Sequence, residues 1–176
     1  MQQADVPTPL ERFRRANESK LVRWAEEAGI SRSAFNKMRR TGEMNVDTLA
    51  RLVRAATKLL DRPVMASELA DVGEDEPVLG PQRTRRYSKR KRYDTRADRL
   101  LVAVGVSSTL VAVTARLTRP TIHKLRRGKG TLRVSNLAAI VRAIRQLTGV
   151  AVRAADLCDV GEAVDGKEQG SDAFPG

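Results

Sequence analysis

The chain has 176 residues, and 33 Lys and Arg against 21 Asp and Glu give it a formal net charge of +12. This charge favours a polyanionic partner, because Lys and Arg that neutralise phosphates release condensed counterions and gain affinity. The alternative is a basic surface that only keeps the protein soluble. The single cysteine, Cys158, excludes an internal disulfide, and its apolar neighbours indicate a small buried hydrophobe.

Neither the N-terminus nor the longest uncharged stretch predicts a membrane or export segment. Residues 1–9 lack a basic start followed by an apolar run, so we expect no secretory signal and a cytoplasmic location. Residues 100–115 carry no charge, but they contain Gly, Ser and Thr and fall short of the ~20 residues of a membrane helix. We expect two short buried helices there.

An internal repeat covers most of the chain. Residues 24–40 align with residues 111–127 at an offset of 87, and residues 46–74 align with residues 134–162 at an offset of 88. The change of offset places a one-residue insertion in the loop 128–133. Both copies end in the same tetrapeptide, Asp-Val-Gly-Glu, at residues 71–74 and 159–162. We therefore expect two duplicated units, each folding independently.

Five short helices are predicted in the first unit. Thr8 caps the first, with Pro9 and Glu11 at positions that satisfy a helix start, and Ser31 caps the third after a turn at Gly29. The predicted helices cover about residues 8–17, 19–29, 32–40, 47–60 and 66–72. The second unit repeats the pattern, with Thr95, then Ser107 or Ser108, then Thr118 as caps of its first three helices.

The third helix of each unit is amphipathic. Phe35 and Met38 face inward in the first unit, and Ile122 and Leu125 do so in the second. The residues predicted to point outward are Arg32, Ser33, Asn36, Lys37, Arg39 and Arg40 in the first unit, and Arg119, Thr121, His123, Lys124, Arg126 and Arg127 in the second.

The segment from Trp24 to Arg40, with its Ala28-Gly29-Ile30-Ser31 turn and the later spacing of Leu49 and Leu52, resembles the helix-turn-helix of the Cro and phage-repressor (XRE-type) family. The resemblance covers residues 8–74 and, more loosely, residues 95–162, where Arg116 replaces the usual small turn residue. It implies an all-α fold with two tandem five-helix helix-turn-helix domains. The expected domains are residues 8–76 and 95–162, joined by a basic flexible linker over residues 77–94 and followed by a disordered tail over residues 163–176.

In that family the third helix lies in the major groove of DNA. The resemblance therefore implies base contacts by Arg32, Ser33, Asn36 and Lys37 in the first unit, and by Arg119, Thr121, His123 and Lys124 in the second. Later basic residues are expected to hold phosphates, namely Arg40, Arg127 and Lys129, together with Arg85, Arg86, Arg90 and Arg92 of the linker. The alternatives are ordinary solvated residues on the helices and a solubilising spacer in the linker.

Charge is distributed unevenly between the units. Residues 1–80 hold 13 basic and 13 acidic residues, so their net charge is zero. Residues 81–99 hold 9 basic and 2 acidic residues, and residues 100–162 hold 10 and 3, so each segment is +7. The linker and the second unit are therefore expected to dominate affinity for DNA.

The expected function is a sequence-specific DNA-binding transcriptional regulator, a repressor or control protein of a phage, plasmid or integrative element. The alternative is an architectural or antitoxin-like protein whose second unit and linker bind DNA while the first unit binds a protein or a second copy. The linker of ~20 residues can span on the order of 65 Å, so one chain could place both helices in successive major grooves. No enzymatic activity, metal or cofactor is expected, because the lone His123 lacks companion ligands.

Overall fold

A computed structural model describes residues 6–18, 23–74 and 93–162 of the protein. Within these ranges the secondary structure consists of ten α-helices and one isolated antiparallel bridge, between Asn45 and Arg133. The predicted all-α class is confirmed for these ranges.

The helices fall into two sets of five. In the first repeat (residues 8–74) they are α1 (Pro9–Ala16), α2 (Trp24–Glu27), α3 (Arg32–Thr41), α4 (Val46–Leu60) and α5 (Ala66–Leu69). In the second repeat (residues 95–162) they are α6 (Arg96–Ala103), α7 (Ser108–Thr114), α8 (Arg119–Arg126), α9 (Val134–Thr148) and α10 (Ala154–Leu157). The predicted start of the second helix at Ser19 lies outside the described residues. Helix α5 is shorter than predicted, because the backbone is already extended at Ala70.

Side-chain caps fix the starts of several helices as predicted. The hydroxyls of Thr8 and Ser31 accept the main-chain N–H groups of Glu11 and Ala34, each at 3.2 Å. In the second repeat, the Thr95 hydroxyl caps α6, and Ser107 rather than Ser108 caps α7. These bonds satisfy amides that the helix itself leaves without partners. Local sequence thus sets where α1, α3, α6 and α7 begin.

The two repeats fill equivalent cores with different side chains. Trp24 is fully buried, its indole N–H donates to the Leu52 carbonyl at 2.9 Å, and its ring lies 5.5 Å from that of Phe13 and 5.4 Å from that of Phe35. The buried positions that match Trp24 and Phe35 in the second repeat are Val111 and Ile122. One helix arrangement is therefore supported by an aromatic cluster in one repeat and by aliphatic packing in the other.

The repeats pack against each other, and contacts from the first repeat to the second are matched by equivalent contacts from the second to the first. The Val46 N–H donates to the Leu132 carbonyl at 2.9 Å, and the Val134 N–H donates to the Met44 carbonyl at 3.0 Å. Each residue in the first bond lies 88 positions from its counterpart in the second. A reciprocal pattern of this kind defines a two-fold, isologous interface, here formed within a single chain.

The duplicated Asp-Val-Gly-Glu segments (residues 71–74 and 159–162) form the polar part of this interface. Glu74 accepts the N–H of Ala154, the first residue of α10, and Glu162 accepts the N–H of Ala66, the first residue of α5, both at 2.8 Å. Each glutamate therefore stabilises the start of a short helix in the opposite repeat.

The aspartates of these segments bind arginines of the opposite repeat. Asp71 pairs with Arg142 of α9 at 2.5 Å, and Asp159 pairs with Arg54 of α4. Burial raises the pKa of both aspartates, but the arginines and the main-chain N–H groups two residues further on lower it more, so each pKa lies below its ordinary value. The four carboxylates thus connect the two repeats through polar contacts at equivalent positions.

Two glycines let the main chains of the repeats approach closely. Gly73 and Gly161 have φ of +80° and +84°, and both are buried. A Cβ atom at Gly73 would overlap the carbonyl group of Ala138 in α9, and one at Gly161 would overlap that of Ala50 in α4. Glycine is therefore required here for its conformation and for the space it leaves.

The buried apolar side chains of both repeats form one continuous cluster. The packing of α4 against α9 extends it across the interface. This arrangement differs from two units held together only by a linker, because each repeat buries part of its surface on the other. The division into two domains and their independent folding stay predictions.

We expect Gly73→Ala and Gly161→Ala each to lower the free energy of unfolding by more than about 2 kcal/mol. The new methyl group overlaps a main-chain carbonyl, in addition to left-handed strain of about 1–2 kcal/mol. Urea denaturation measures the loss. Gly128→Ala is the control, because it shares a positive φ of +62° but its Cβ would lie 3.4 Å from the nearest atom, on Thr95. Equal losses at all three glycines would contradict the close approach.

Candidate nucleic-acid interface

The outer face of α3 carries the residues predicted to contact bases in the first repeat. Phe35 and Met38 are buried, as predicted. The exposed side chains on the outer face are Arg32, Ser33, Asn36, Lys37 and Arg40. The Asn36 amide oxygen accepts a hydrogen bond from the Arg39 guanidinium at 3.1 Å. This bond orients the amide on the helix surface, with its NH₂ group turned away from Arg39.

Helix α8 presents an equivalent face in the second repeat. Arg119, His123 and Lys124 are exposed, and Thr121 is half-buried. Thr118 takes the predicted N-cap position, but its hydroxyl shares a 3.0 Å hydrogen bond with that of Thr121 instead of binding a main-chain amide. Ile122 is fully buried, whereas Leu125, predicted to face inward, is half-buried.

The predicted phosphate-binding residues are only partly within the described ranges. Arg40, Arg127 and Lys129 are all exposed. Arg127 donates to the Tyr93 hydroxyl at 3.2 Å, and its guanidinium carbon lies 5.5 Å from the centre of that ring. The linker candidates Arg85, Arg86, Arg90 and Arg92 lie outside the described residues.

Two arginines predicted to point outward instead face inward, and that prediction was wrong. Arg126 is 3% exposed and donates to Asp98 at 2.6 Å and to the Ser108 hydroxyl at 3.0 Å. Arg39 is half-buried and donates to Glu11 at 2.5 Å. We call α3 and α8 the candidate recognition helices. Each arginine joins the end of one of them to the first helix of its own repeat.

Helical periodicity could have identified this pair. Arg39 follows the buried Phe35 by four residues and Arg126 follows Ile122 by four, so each lies on the buried face. Their acidic partners also occupy equivalent positions, since Glu11 and Asp98 lie 87 residues apart. The Arg39 guanidinium holds the pKa of Glu11 well below its ordinary value, against the opposite effect of burial and with the help of two further arginines of α1.

Both candidate recognition helices lie beside the interface between the repeats. A groove of about 640 Å³ brings Lys124 and Leu125 of α8 together with Asp47 and Arg54 of α4. On the other side, a smaller groove joins Thr41, the last residue of α3, to the start of α9 in the opposite repeat. The main helix contacts of α3 and α8 are nevertheless with helices of their own repeat, α1 and α2 for α3 and α6 and α7 for α8.

The turn before α8 holds a strained residue. Arg116 has a φ of +54°, the left-handed conformation that Gly29 adopts at the equivalent turn with a φ of +63°. A non-glycine residue takes this conformation at a cost, because its Cβ crowds the following carbonyl. The turn geometry of the first repeat is therefore preserved in the second despite the substitution.

Cys158 borders the larger groove and packs against the apolar core, half-buried. Burial, reinforced by the adjacent Asp159, raises the pKa of its thiol to about 12. The thiol is therefore protonated at neutral pH. The sequence predicted a buried residue, whereas Cys158 packs against the core but stays partly exposed.

Comparison of the chain with protein-family models, with curated proteins and with solved structures gives no match. Within the described ranges, no single helix is long and apolar enough to cross a membrane, and α6 and α7, which satisfy those criteria only together, meet at a bend of 95°.

We expect Arg126→Ala to lower the free energy of unfolding by about 3 kcal/mol or more, because it leaves the 1% exposed Asp98 carboxylate without its cationic partner. Thermal and urea unfolding measure the change. The neighbouring Arg127→Ala removes the same charge from an exposed position and is expected to cost less than about 1 kcal/mol. Similar losses in the two variants would refute a buried ion pair.

Arg116→Gly is expected to stabilise the protein by up to about 1 kcal/mol, since relief of left-handed strain outweighs the added flexibility of the unfolded chain. The measurement is the shift in Tm. Asp61 provides a control: its φ is +51°, but aspartate tolerates this conformation better than arginine. Asp61→Gly should therefore gain less, and a lower Tm for Arg116→Gly would show that the turn is not strained.

Proposed function

We propose that the protein is a sequence-specific transcriptional regulator that binds double-stranded DNA through α3 and α8, acting as a repressor or control protein of a phage, plasmid or integrative element. The observation that carries the proposal is the equivalence of the two helices. Each follows a left-handed turn, buries one apolar face and exposes a basic face beside the interface between the repeats.

The exposed side chains suit the chemistry of the major groove. Arg can pair bidentately with guanine and Asn with adenine, at about 1–3 kcal/mol of discrimination for each good pair. Arg32 and Asn36 lie one helical turn apart on α3, as do Arg119 and His123 on α8. Arg40 and Arg127, near the helix ends, would hold phosphates and so fix the register of the helices on the duplex.

Charge favours the second repeat as the main source of affinity. Residues 100–162 have a net charge of +7 (10 basic, 3 acidic), whereas residues 1–80 are neutral (13 of each). The part of the DNA affinity that comes from neutralising phosphates would therefore be supplied mostly by the second repeat and by the segment before α6, since residues 81–99 are also +7. The lower charge of the first repeat, +3 over residues 8–74 (13 basic, 10 acidic), is also what favours the second candidate function, an architectural or antitoxin-like protein whose first repeat binds a protein partner.

The test is selection of bound duplexes from random DNA with the full chain, followed by affinity measurements on the selected site. Lys37→Ala and Lys124→Ala should weaken binding roughly 5- to 150-fold, the equivalent of about 1–3 kcal/mol, with the larger loss for Lys124. Lys58→Ala is the matched control, because it removes the same charge from an exposed position near the C-terminal end of α4.

Each outcome distinguishes the two functions. A regulator keeps a large ratio of specific to non-specific affinity as salt rises, whereas an architectural protein does not. Selection that enriches no sequence, with equal losses for the three lysine variants, would exclude base reading by α3 and α8. Loss of binding for Lys124→Ala with no effect of Lys37→Ala would favour the protein-binding role of the first repeat.

A further inference from the structure

The interface between the repeats defines a two-fold axis, and two pairs of equivalent residues mark its course. Asn45 and Arg133, which lie 88 positions apart, form the isolated antiparallel bridge. Met65 and Arg153, also 88 positions apart, are in contact at 3.9 Å between the Arg153 guanidinium and the Met65 sulfur. A residue that contacts its own counterpart across an isologous interface lies at the axis.

Both candidate recognition helices lead to the same end of this axis. Only three residues separate the end of α3 at Thr41 from Asn45, and six separate the end of α8 at Arg126 from Arg133. The axial bridge therefore lies between the two helices. At the other marked point, Met65 and Arg153 directly precede α5 and α10.

We propose that one chain binds one DNA site made of two unlike half-sites in inverted orientation, at a fixed spacing. This inference rests on the proposed function. A rotation by two-fold symmetry relates α3 to α8, so the DNA segments that they contact in equivalent ways must be related by the same rotation. Two-fold-related segments of a duplex are inverted repeats, whereas a direct repeat would need the helices to be related by translation.

The dimensions agree with adjacent half-sites. Helix α3 is roughly 15 Å long, and the four steps from Thr41 to Asn45 reach at most ~14 Å, so the midpoint of α3 lies within about 22 Å of the axial bridge. Half-sites one turn apart need each helix about 17 Å from the axis. This upper limit allows the required 17 Å, and the contacts between the repeats would hold that distance, whereas a linker reaching on the order of 65 Å would leave it open.

The half-sites differ because the helices differ. Arg32 and Lys37 correspond to Arg119 and Lys124, so part of each half-site is expected to be shared. Asn36, by contrast, corresponds to His123, and Ser33 corresponds to Pro120. The site is accordingly a pseudo-palindrome, with departures from symmetry at the bases that face these two positions.

The experiment compares three duplexes built from the half-sites that selection identifies: the inverted arrangement, a direct repeat, and the inverted arrangement with roughly 5 base pairs inserted, about half a helical turn. We expect one chain per duplex and at least about tenfold tighter binding to the first duplex. Equal affinity for all three would overturn the inference in favour of independently tethered repeats. Two chains on the inverted duplex would overturn it in favour of a homodimer.

A variant with about ten Gly and Ser residues inserted after Gly80 supplies the control. If the interface sets the spacing, this insertion leaves the preference for the inverted duplex unchanged. If the linker sets the spacing, the longer linker reduces the difference in affinity between the inverted duplex and the other two. If the proposed function itself is wrong, the result differs: the wild-type chain would bind the three duplexes and random DNA with equal affinity. A chain that prefers one half-site strongly but ignores the arrangement of two supports DNA reading and rejects the fixed spacing.

Discussion

The close approach of Gly73 to α9 and of Gly161 to α4 is the constraint on which the architecture depends. Without side chains at these positions, the ends of the two repeats lie directly on the main chain of the opposite long helix. The neighbouring aspartates and glutamates then reach arginines and helix starts that a larger residue would hold out of range. One tetrapeptide, present twice, thus supplies the close fit, the charges and the caps of the interface.

Within each repeat, one inward-facing arginine, half-buried Arg39 or buried Arg126, joins the third helix to the first. Arg39 and Arg126 tie the ends of α3 and α8 to Glu11 and Asp98, while the hydroxyls of Thr8 and Thr95 donate to the carbonyls of the same two arginines at 2.6 and 2.7 Å. A helix whose end is held by both main-chain and side-chain bonds presents its outer face in a fixed orientation. The basic residues next to these arginines are then free to face solvent.

The two repeats have diverged in charge and core while keeping the same geometry. Aromatic packing around Trp24 is replaced by Val111 and its aliphatic neighbours, and Gly29 by the strained Arg116. The contacts that are kept at equivalent positions are those of the interface and the ion pairs of Arg39 and Arg126. The two repeats are therefore related by two-fold symmetry in their main chains but differ in their exposed side chains. Such a surface suits recognition of two related but unequal targets.

The sequence by itself determined the all-α class, the caps at Thr8, Ser31 and Thr95, and the exposure of most candidate DNA-binding residues on α3 and α8, because periodicity and capping are local. Arg39 and Arg126 were assigned to the outer face because they are charged, although their spacing of four residues from Phe35 and Ile122 places them on the buried face. Only the tertiary structure decided why Asp-Val-Gly-Glu is duplicated and how the repeats are related. Contacts between residues 80 or more positions apart, such as Glu74 with Ala154, leave no local pattern: the segments meet only when both repeats have folded.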